Sequence, residues 1–208
     1  MATALPALGA WVITARPVRV IAGTHGGVRL SPVPGQATRP TAERVREALF
    51  SRLQSRFGLA GARLLDLFAG TGALGIESLS RGASGLVFVE KNPRAVAVLR
   101  ANLESCDMLD RSEVLCGEAL SRLALLARDE RVFDGVFVDP PYRGGASVAV
   151  LEKLGGLGLL AAGAWVSVET DRREALPGAV GGLARLRVDQ YGDTRLWLYR
   201  ASGPGDRE

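Results

Sequence analysis

The twelve residues from Leu64 to Gly75, LLDLFAGTGALG, constrain the fold more than any other stretch of the chain. They begin with an apolar run interrupted by Asp66, a pattern that predicts a buried strand. Gly70 and Gly72 then allow backbone conformations and close approaches that a side chain would prevent. A strand, a glycine-rich turn and a helix in this order are typical of a nucleotide-binding loop, because such a turn directs free backbone N–H groups and a helix N-terminus at a ligand.

Two kinds of cofactor match this turn. Gly70, Gly72 and Gly75 fit the dinucleotide pattern G-x-G-x-x-G, with Glu90 at the distance expected of a ribose-binding acid. The same stretch fits D-x-F-x-G-x-G, the first motif of class I S-adenosylmethionine (SAM) methyltransferases. Asp66 would repel a pyrophosphate dianion, whereas the α-ammonium and the sulfonium of SAM attract a carboxylate. The residues therefore favour SAM.

Strand and helix patterns alternate along the rest of the chain. We predict strands at 63–67, 86–90, 113–116, 135–138 and 164–169 and helices at 73–81, 93–105, 119–128 and 146–154. These are βα units with right-handed crossovers. Two further strands, 183–191 and 194–200, are joined by the tight turn Gly192-Asp193. We therefore expect an α/β fold with a Rossmann-like seven-stranded sheet whose last strand is antiparallel, as in class I methyltransferases.

The positive charge is concentrated before this alternating region. Residues 1–58 hold eight arginines and two glutamates, a charge of +6, whereas the remainder carries −2. The segment predicts a β-hairpin (18–22 and 28–31) with His25 at its tip, and then a helix that Thr41 caps. Such clustering is expected of a protein that binds a phosphate backbone. We expect a basic RNA-binding extension at 1–58, a methyltransferase domain at 59–200 and a disordered tail at 201–208.

A second motif, Phe137-Val-Asp139-Pro140-Pro141-Tyr142, follows the predicted strand 135–138. Two prolines hold the turn extended and so fix the Asp139 carboxylate and the Pro140 carbonyl as paired acceptors. Such acceptors can hold an exocyclic amino group of a base and disperse the charge that builds as a methyl group arrives. Tyr142 can stack on the base. The motif lies at the same sheet edge as the glycine turn.

Composition excludes several other classes of protein. A hydrophobic content of 47% supports a real core, and no apolar run is long enough to span a bilayer. Residues 1–17 lack the basic n-region of a secretory signal. Cys106, Cys116 and His25 cannot build a zinc site, so we expect buried thiols and no metal. We expect a cytoplasmic monomer.

The chain is similar to the RsmD family, the bacterial 16S rRNA (guanine-N2) methyltransferases. The resemblance covers roughly residues 16–200, and RPTAERVREALF is its most family-specific part. Its motifs are RVIAGTHGGVRL (19–30), RPTAERVREALF (39–50), DLFAGTGALGIESLSRGA (66–83), FVEKN (88–92) and FVDPPY (137–142). It implies SAM as donor and, as substrate, the amino group of one guanine in 16S rRNA within the small ribosomal subunit or its assembly intermediate. Residues 1–15 depart from the family pattern.

The resemblance also assigns roles to particular residues. For SAM they are Asp66, Phe68, Ala69, Gly70, Gly72, Ala73, Leu74, Glu90, Lys91, Asn92, Glu118 and Ala119. For the guanine they are Asp139, Pro140, Pro141 and Tyr142. For the RNA they are Arg19, His25, Arg29, Arg39, Thr41, Arg44, Arg46 and Arg143.

Three alternatives remain open from the sequence. The first alternative is an adenine-N6 methyltransferase acting on DNA or RNA, because D-P-P-Y motifs occur in methyltransferases that modify different amino groups. The second is a dinucleotide-binding oxidoreductase, and the third is a non-catalytic RNA-binding protein with a relic SAM fold.

Overall fold

A computed structural model of the chain describes residues 18–34, 42–140 and 146–202. At its N-terminal end, strands β1 (Val18–Arg19) and β2 (Arg29–Leu30) form an antiparallel hairpin, which helix α1 (Ala42–Arg56) follows. The predicted hairpin and helix are therefore present, with strands shorter than expected. The predicted cap at Thr41 and residues 203–208 of the predicted tail (201–208) lie outside the described residues. Ala201, the first residue of that tail, ends a strand and is buried.

Strands and helices alternate after α1, as predicted. In chain order they are β3 (Arg63–Leu67), α2 (Ala73–Ser80), β4 (Gly85–Glu90), α3 (Pro93–Ser105), a 3₁₀ turn (Leu109–Arg111), β5 (Ser112–Cys116), α4 (Ala119–Arg128), β6 (Phe133–Val138), α5 (Ala146–Gly156), β7 (Leu160–Asp171), β8 (Ala179–Val180), β9 (Leu183–Tyr191) and β10 (Thr194–Ala201). The predicted bounds of β3, α3, α4 and β9 agree with these.

The large sheet has the strand order β5-β4-β3-β6-β7-β10-β9-β8. Its first five strands are parallel, and β10 pairs antiparallel with both β7 and β9. The predicted fold class is confirmed. The one strand that the sequence analysis missed in this sheet is the two-residue edge strand β8, which two residues of period-two pattern are too few to reveal.

Each face of the sheet has its own hydrophobic cluster. Because side chains alternate along a strand, Leu65 and Leu67 of β3 face α4 and α5, whereas Leu64 faces α1, α2 and α3. The second cluster also contains Val20 and Leu30 of the hairpin. The hairpin and α1 therefore share a core with the sheet.

Strand register brings the predicted motifs to one edge of the sheet. Leu67 of β3 pairs with Val89 of β4 and with Val138 of β6. Since parallel strands end on the same side, the glycine turn, Glu90 and Asp139 all lie at the carboxyl edge, where α/β sheets bind ligands.

Two other expectations are tested by the fold. Cys106 is buried, but Cys116 is exposed at the end of β5, and neither thiol forms a disulfide. The expectation of two buried thiols is therefore wrong for Cys116. Among the residues that the structure describes, no helix is long and apolar enough to cross a membrane.

Candidate active site

The glycine turn between β3 and α2 is built from residues with left-handed backbone conformations. Phe68, Gly70 and Gly72 have φ angles of 71°, 55° and 83°. A Cβ atom on Gly72 would also lie 2.3 Å from Cδ1 of Leu99 in α3. Gly72 is therefore required both by its backbone conformation and by the close approach of α3.

Several backbone N–H groups of the turn are already used inside the protein. Those of Phe68 and Ala69 both donate to the carbonyl of Val89, at 3.0 Å. That of Gly70 donates to Glu90 Oε2 at 2.9 Å, and that of Gly72 donates to the Ala69 carbonyl at 2.8 Å. The expectation that this turn offers free N–H groups is wrong for these four. A pyrophosphate placed at this turn would lie beside the Glu90 carboxylate, which repels it, so the geometry disfavours a dinucleotide.

Asp66 lies below this turn, within β3, and only 1% of it is exposed. It pairs in register with Phe88 of β4 and Phe137 of β6. Among the described residues, neither carboxyl oxygen makes a hydrogen bond of normal geometry. Burial is the main reason that the pKa of Asp66 is raised to about 8, and the nearby charge of Glu90 raises it further, against the lowering effect of the Gly75 N–H. A cation would be the natural partner of this carboxylate.

Gly75 explains how α2 comes so close to Asp66. A Cβ atom on Gly75 would lie 2.1 Å from the ring of Phe88, so a larger residue would push the helix away from the sheet. Ala73 and Leu74, which were predicted to contact SAM, form the first turn of α2 beside it and are half-buried.

Glu90 ends β4 and organises the backbone around it. Its Oε2 accepts from Gly70 N and its Oε1 accepts from Asn92 N, the latter at 2.8 Å. An ionised carboxylate has about four acceptor sites, so about two remain for a ligand. The side chain of Asn92 caps α3 by accepting from Arg94 N at 3.0 Å. Asn92 therefore has a structural role, and its contact with SAM stays a prediction.

The next strand brings a further part of the predicted cofactor site to the same edge. Gly117 N donates to the Glu90 carbonyl at 3.0 Å, which holds the end of β5 against β4. Glu118 precedes α4, and its carboxylate forms an exposed ion pair with Lys91 at 3.4 Å. Ala119 begins α4 and is buried. Glu90, Lys91, Glu118 and Ala119 are thus neighbours, as the sequence motifs suggested.

Asp139 and Pro140 follow β6 directly, so they lie beside Phe68 at the carboxyl edge. Asp139 is half-buried and Pro140 is buried. The remaining predicted residues of this loop, Pro141, Tyr142 and Arg143, lie outside the described residues.

The predicted RNA-contacting residues divide into exposed and buried ones. Arg19, Arg29 and Arg44 are exposed, and Arg19 pairs with Glu43 of α1 at 2.7 Å. Arg46, by contrast, is 6% exposed; its Nη2 donates to the Arg19 carbonyl, and burial lowers the pKa of its guanidinium. Arg46 therefore supports the hairpin from inside and does not lie on the predicted cationic surface. Arg39 lies outside the described residues, as Thr41 does.

His25 lies at the hairpin tip, at a distance from the glycine turn. The tip contacts the C-terminal end of α2, where Thr24 N donates to the Ser80 carbonyl at 2.9 Å and His25 N to Ser80 Oγ at 3.0 Å. Since α2 begins at the glycine turn and has eight residues, about 12 Å of helix separates the two. His25 is half-buried, with Nδ1 2.8 Å from Thr24 Oγ1.

Two buried polar residues that the sequence analysis missed connect the hairpin to the fold. Glu77 is fully buried and accepts from Ile21 N at 2.6 Å, from Ala22 N at 3.1 Å and from the Arg81 guanidinium at 2.6 Å. Asn102 of α3 contacts both the residue after β2 and the glycine turn. In the sequence both resemble ordinary helix surface residues; only the apolar neighbours of Glu77 (GIESL) could have indicated its burial.

The strand order, the glycine turn with Asp66 and Glu90, and the Asp-Pro turn at the same edge define a class I SAM-dependent methyltransferase. A family model described as "Conserved hypothetical protein 95" matches residues 18–200. The chain belongs to this family, which the sequence motifs had identified as the RsmD family. The predicted cofactor, SAM, is confirmed with it.

Individual relatives agree with this membership. Ribosomal RNA small subunit methyltransferase D of Escherichia coli (strain K12) is 34% identical over 192 residues, which cover 92% of this chain and 93% of the relative. YlbH of Bacillus subtilis (strain 168) is 36% identical over 186 residues, 89% of this chain and all of the relative. The solved structure of yhhF from Escherichia coli has a TM-score of 0.76 and 34% identity, covering 90% of this chain and 99% of that structure.

Proposed function

We propose that this protein methylates the N2 amino group of a guanine in 16S rRNA, of the type at position 966, within the small ribosomal subunit or its assembly intermediate. The observation that carries the proposal is the position of Asp139 and Pro140 directly beside the glycine turn, at the carboxyl ends of adjacent strands β6 and β3. The name of the Escherichia coli relative supports small-subunit rRNA as the substrate.

The described residues fit SAM. Bound SAM supplies a methyl group activated by a sulfonium. The buried Asp66 carboxylate, which has no hydrogen-bond partner of normal geometry among the described residues, would hold the α-ammonium. Glu90 retains acceptor capacity for the ribose hydroxyls after binding Gly70 N and Asn92 N. The Glu118–Ala119 turn would border the adenine.

Asp139 and Pro140 would hold the amino group that reacts. The two N–H groups of the guanine amine would donate to the Asp139 carboxylate and the Pro140 carbonyl. This contact favours a pyramidal nitrogen whose lone pair can attack. The new N–C bond forms as the carbon–sulfur bond breaks, the sulfur keeps the electron pair of that bond, and one proton then passes from the nitrogen to solvent water. Both acceptors stabilise the positive charge that develops on nitrogen, and proximity of the two reactants supplies much of the rate.

The exposed arginines would hold the RNA backbone. Arg19, Arg29 and Arg44 lie on the hairpin and on the first turn of α1, and the N-terminal quarter of the chain carries the excess positive charge. Phosphate contacts of this kind supply affinity and orientation without reading the sequence. The predictions of a monomer and of a cytoplasmic location belong to this proposal as well.

The test is transfer of labelled methyl from SAM to small-subunit particles that lack the modification, followed by nucleoside analysis. Recovery of N2-methylguanosine would support SAM as the methyl donor, guanine as the base and N2 as the methylated atom. Recovery of methyladenosine would be consistent with the fold and the mechanism but would overturn the proposal that the base is guanine. No transfer to particles or to naked rRNA, while SAM still binds, would overturn the rRNA substrate, and DNA would be tested next.

A further inference from the structure

One buried side chain joins the exit of the hairpin to the glycine turn. Asn102 lies in the last turns of α3, and 2% of it is exposed. Its Oδ1 accepts from Ser31 N at 2.8 Å, and its Nδ2 donates to the Ser31 carbonyl at 3.1 Å. The same Nδ2 donates to the Thr71 carbonyl at 3.0 Å, and Thr71 lies between the two glycines of the turn.

These three hydrogen bonds engage the carbonyl oxygen and both N–H groups of the Asn102 side-chain amide. One N–H serves Ser31 and the other serves Thr71, so neither carbonyl can move without shifting the amide or leaving a buried N–H unpaired. A buried polar group that loses its partner bears the cost of its desolvation. Displacement of Ser31 is therefore transmitted to Thr71, and displacement of Thr71 to Ser31.

The helix that carries Asn102 also contacts the turn at a second point. Leu99, one turn earlier in α3, packs against Gly72 so closely that a Cβ atom there would lie 2.3 Å from its Cδ1. The N-terminus of α3 is held in turn by Asn92, whose backbone N–H donates to Glu90. α3 is thus a common support for the turn, the Glu90 carboxylate and the hairpin exit.

We propose that Asn102 is a positioning residue that couples the hairpin to the cofactor turn, so that RNA on the hairpin and SAM on the turn each raise the affinity for the other. The proposal rests on the proposed function in one respect, namely that the hairpin binds RNA. Thermodynamic linkage requires the coupling to be reciprocal.

Hydrogen–deuterium exchange with S-adenosylhomocysteine (SAH) as the probe tests the cofactor side without any turnover. In the wild type, saturating SAH should slow amide exchange in the turn (68–74) and also at the hairpin exit (29–33). In Asn102→Ala, SAH at saturating concentration should still protect the turn but should no longer change exchange at the hairpin exit. Asn102→Asp, which keeps the Oδ1 acceptor but replaces the two N–H donors with a second acceptor oxygen, should behave in the same way.

Calorimetry with and without an rRNA fragment tests the reciprocal effect. RNA should tighten SAH binding to the wild type about fivefold, the lower end of typical allosteric coupling, and this ratio should fall to about one in Asn102→Ala. Ser105→Ala is the matched control, because the Ser105 hydroxyl donates to the backbone carbonyl of Asn102 and is not among the partners of the Asn102 side chain. It should keep the wild-type ratio.

The outcomes separate this proposal from the proposed function. If SAH protects the hairpin exit equally in the wild type and in Asn102→Ala, or in neither, the coupling role of Asn102 is overturned while the methyltransferase function stands. If RNA fails to bind the wild type, the proposed substrate is overturned, and the exchange experiment alone then decides whether Asn102 links the two segments.

Discussion

Two aspartates at the carboxyl edge of the sheet have contrasting surroundings. Asp66 is enclosed between Phe88 and Phe137, and burial raises its pKa to about 8. Asp139 follows β6 and is half-buried. In the proposed function the first would pair with a cation, and the second would accept hydrogen bonds from an amine. Their environments suit these separate tasks.

Asp139 should affect turnover much more than cofactor binding. We expect Asp139→Ala to lower kcat by about 10²–10³-fold, as for the loss of one transition-state hydrogen bond, with the Kd for SAM within about twofold of the wild type. Single-turnover methyl transfer and calorimetry measure the two quantities. Unchanged turnover would remove Asp139 from the mechanism.

Asp66 should make SAM binding dependent on pH. Below its pKa of about 8 the carboxyl is protonated in the free protein, so binding an ammonium must release a proton. The Kd for SAM should therefore fall as the pH rises from 6 to 7.5, by up to about tenfold per pH unit. Asp66→Asn should bind more weakly and without this slope. A pH-independent Kd in the wild type would argue against the ammonium contact.

The residues differ in how far the sequence could predict them. Asp66 was predictable, because a single carboxylate in an apolar run before a glycine turn is an unusual pattern. Arg46 was not, since a charged residue two positions from Arg44 on a helix is ordinarily exposed, and its burial depends on a backbone carbonyl from another element. Glu77 and Asn102 were missed for the same reason: their partners are backbone groups distant in the chain.

At the scale of elements, the N-terminal hairpin has too little pairing to hold itself together. Its strands have two residues each, and an isolated hairpin is marginal in water even when longer. Its backbone is instead held by side chains from three helices, namely Arg46 of α1, Glu77 and Ser80 of α2 and Asn102 of α3. The hairpin is thus positioned before any ligand arrives, which lowers the entropy cost of binding.

The exposed arginines of the hairpin and α1 should set the salt dependence of RNA binding. We expect Arg29→Ala combined with Arg44→Ala to weaken binding and to reduce the slope of log K against log[salt] by roughly 1.5–2, if each arginine contacts one phosphate. Filter binding at several salt concentrations measures the slope. Arg128→Ala with Lys153→Ala removes the same charge from α4 and α5, on the opposite face, and should leave the slope near that of the wild type. An equal decrease of the salt slope in both double variants would mean that only the total charge of the protein matters.

Elements were predicted best where periodicity extends over many residues. The bounds of β3, α3, α4 and β9 were correct because caps, glycines or prolines mark their ends, as Asn92 and Pro93 do for α3. β7 is longer than predicted, running from Leu160 to Asp171, because alanines and Gly163 in its first half carry little strand signal. β8 is recognised as a strand only because it pairs with β9, to which the turn Gly181-Gly182 connects it. Its two residues are too few to show an alternation of polar and apolar side chains.

At the scale of the whole molecule, Asp66 opposes folding at neutral pH. Its pKa is about 8 in the native state against 3.8 ordinarily, so between these values the native state binds more protons than the unfolded chain. The contribution of Asp66 to the free energy of unfolding therefore falls as the pH rises from about 4 to 8. The site thus has a cost in stability that a bound cation would offset.

Asp66→Asn should consequently stabilise the cofactor-free protein. We expect its Tm at pH 8 to exceed that of the wild type by several degrees, on the scale of about 2–4 °C per kcal/mol for a chain of this size, and the difference to shrink toward pH 4. Thermal melts across this pH range measure it, with the exposed Asp110→Asn as control. A lower Tm for Asp66→Asn at pH 8 would show that the native carboxylate is ionised and stabilised.

The position of β10 has a consequence for synthesis of the chain on a ribosome. β10 follows the other seven strands of this sheet in the chain, yet it lies inside the sheet, between β7 and β9. Until residues 194–201 have left the exit tunnel, β9 and the edge strand β8 have no partner through which to join β7, and the inner edge of β7 is open. The five parallel strands can assemble as translation proceeds, but β8 and β9 cannot join them until β10 has been made. A nascent chain stalled shortly before residue 194 would therefore expose a long apolar strand edge, which is the kind of surface that chaperones bind and that aggregates.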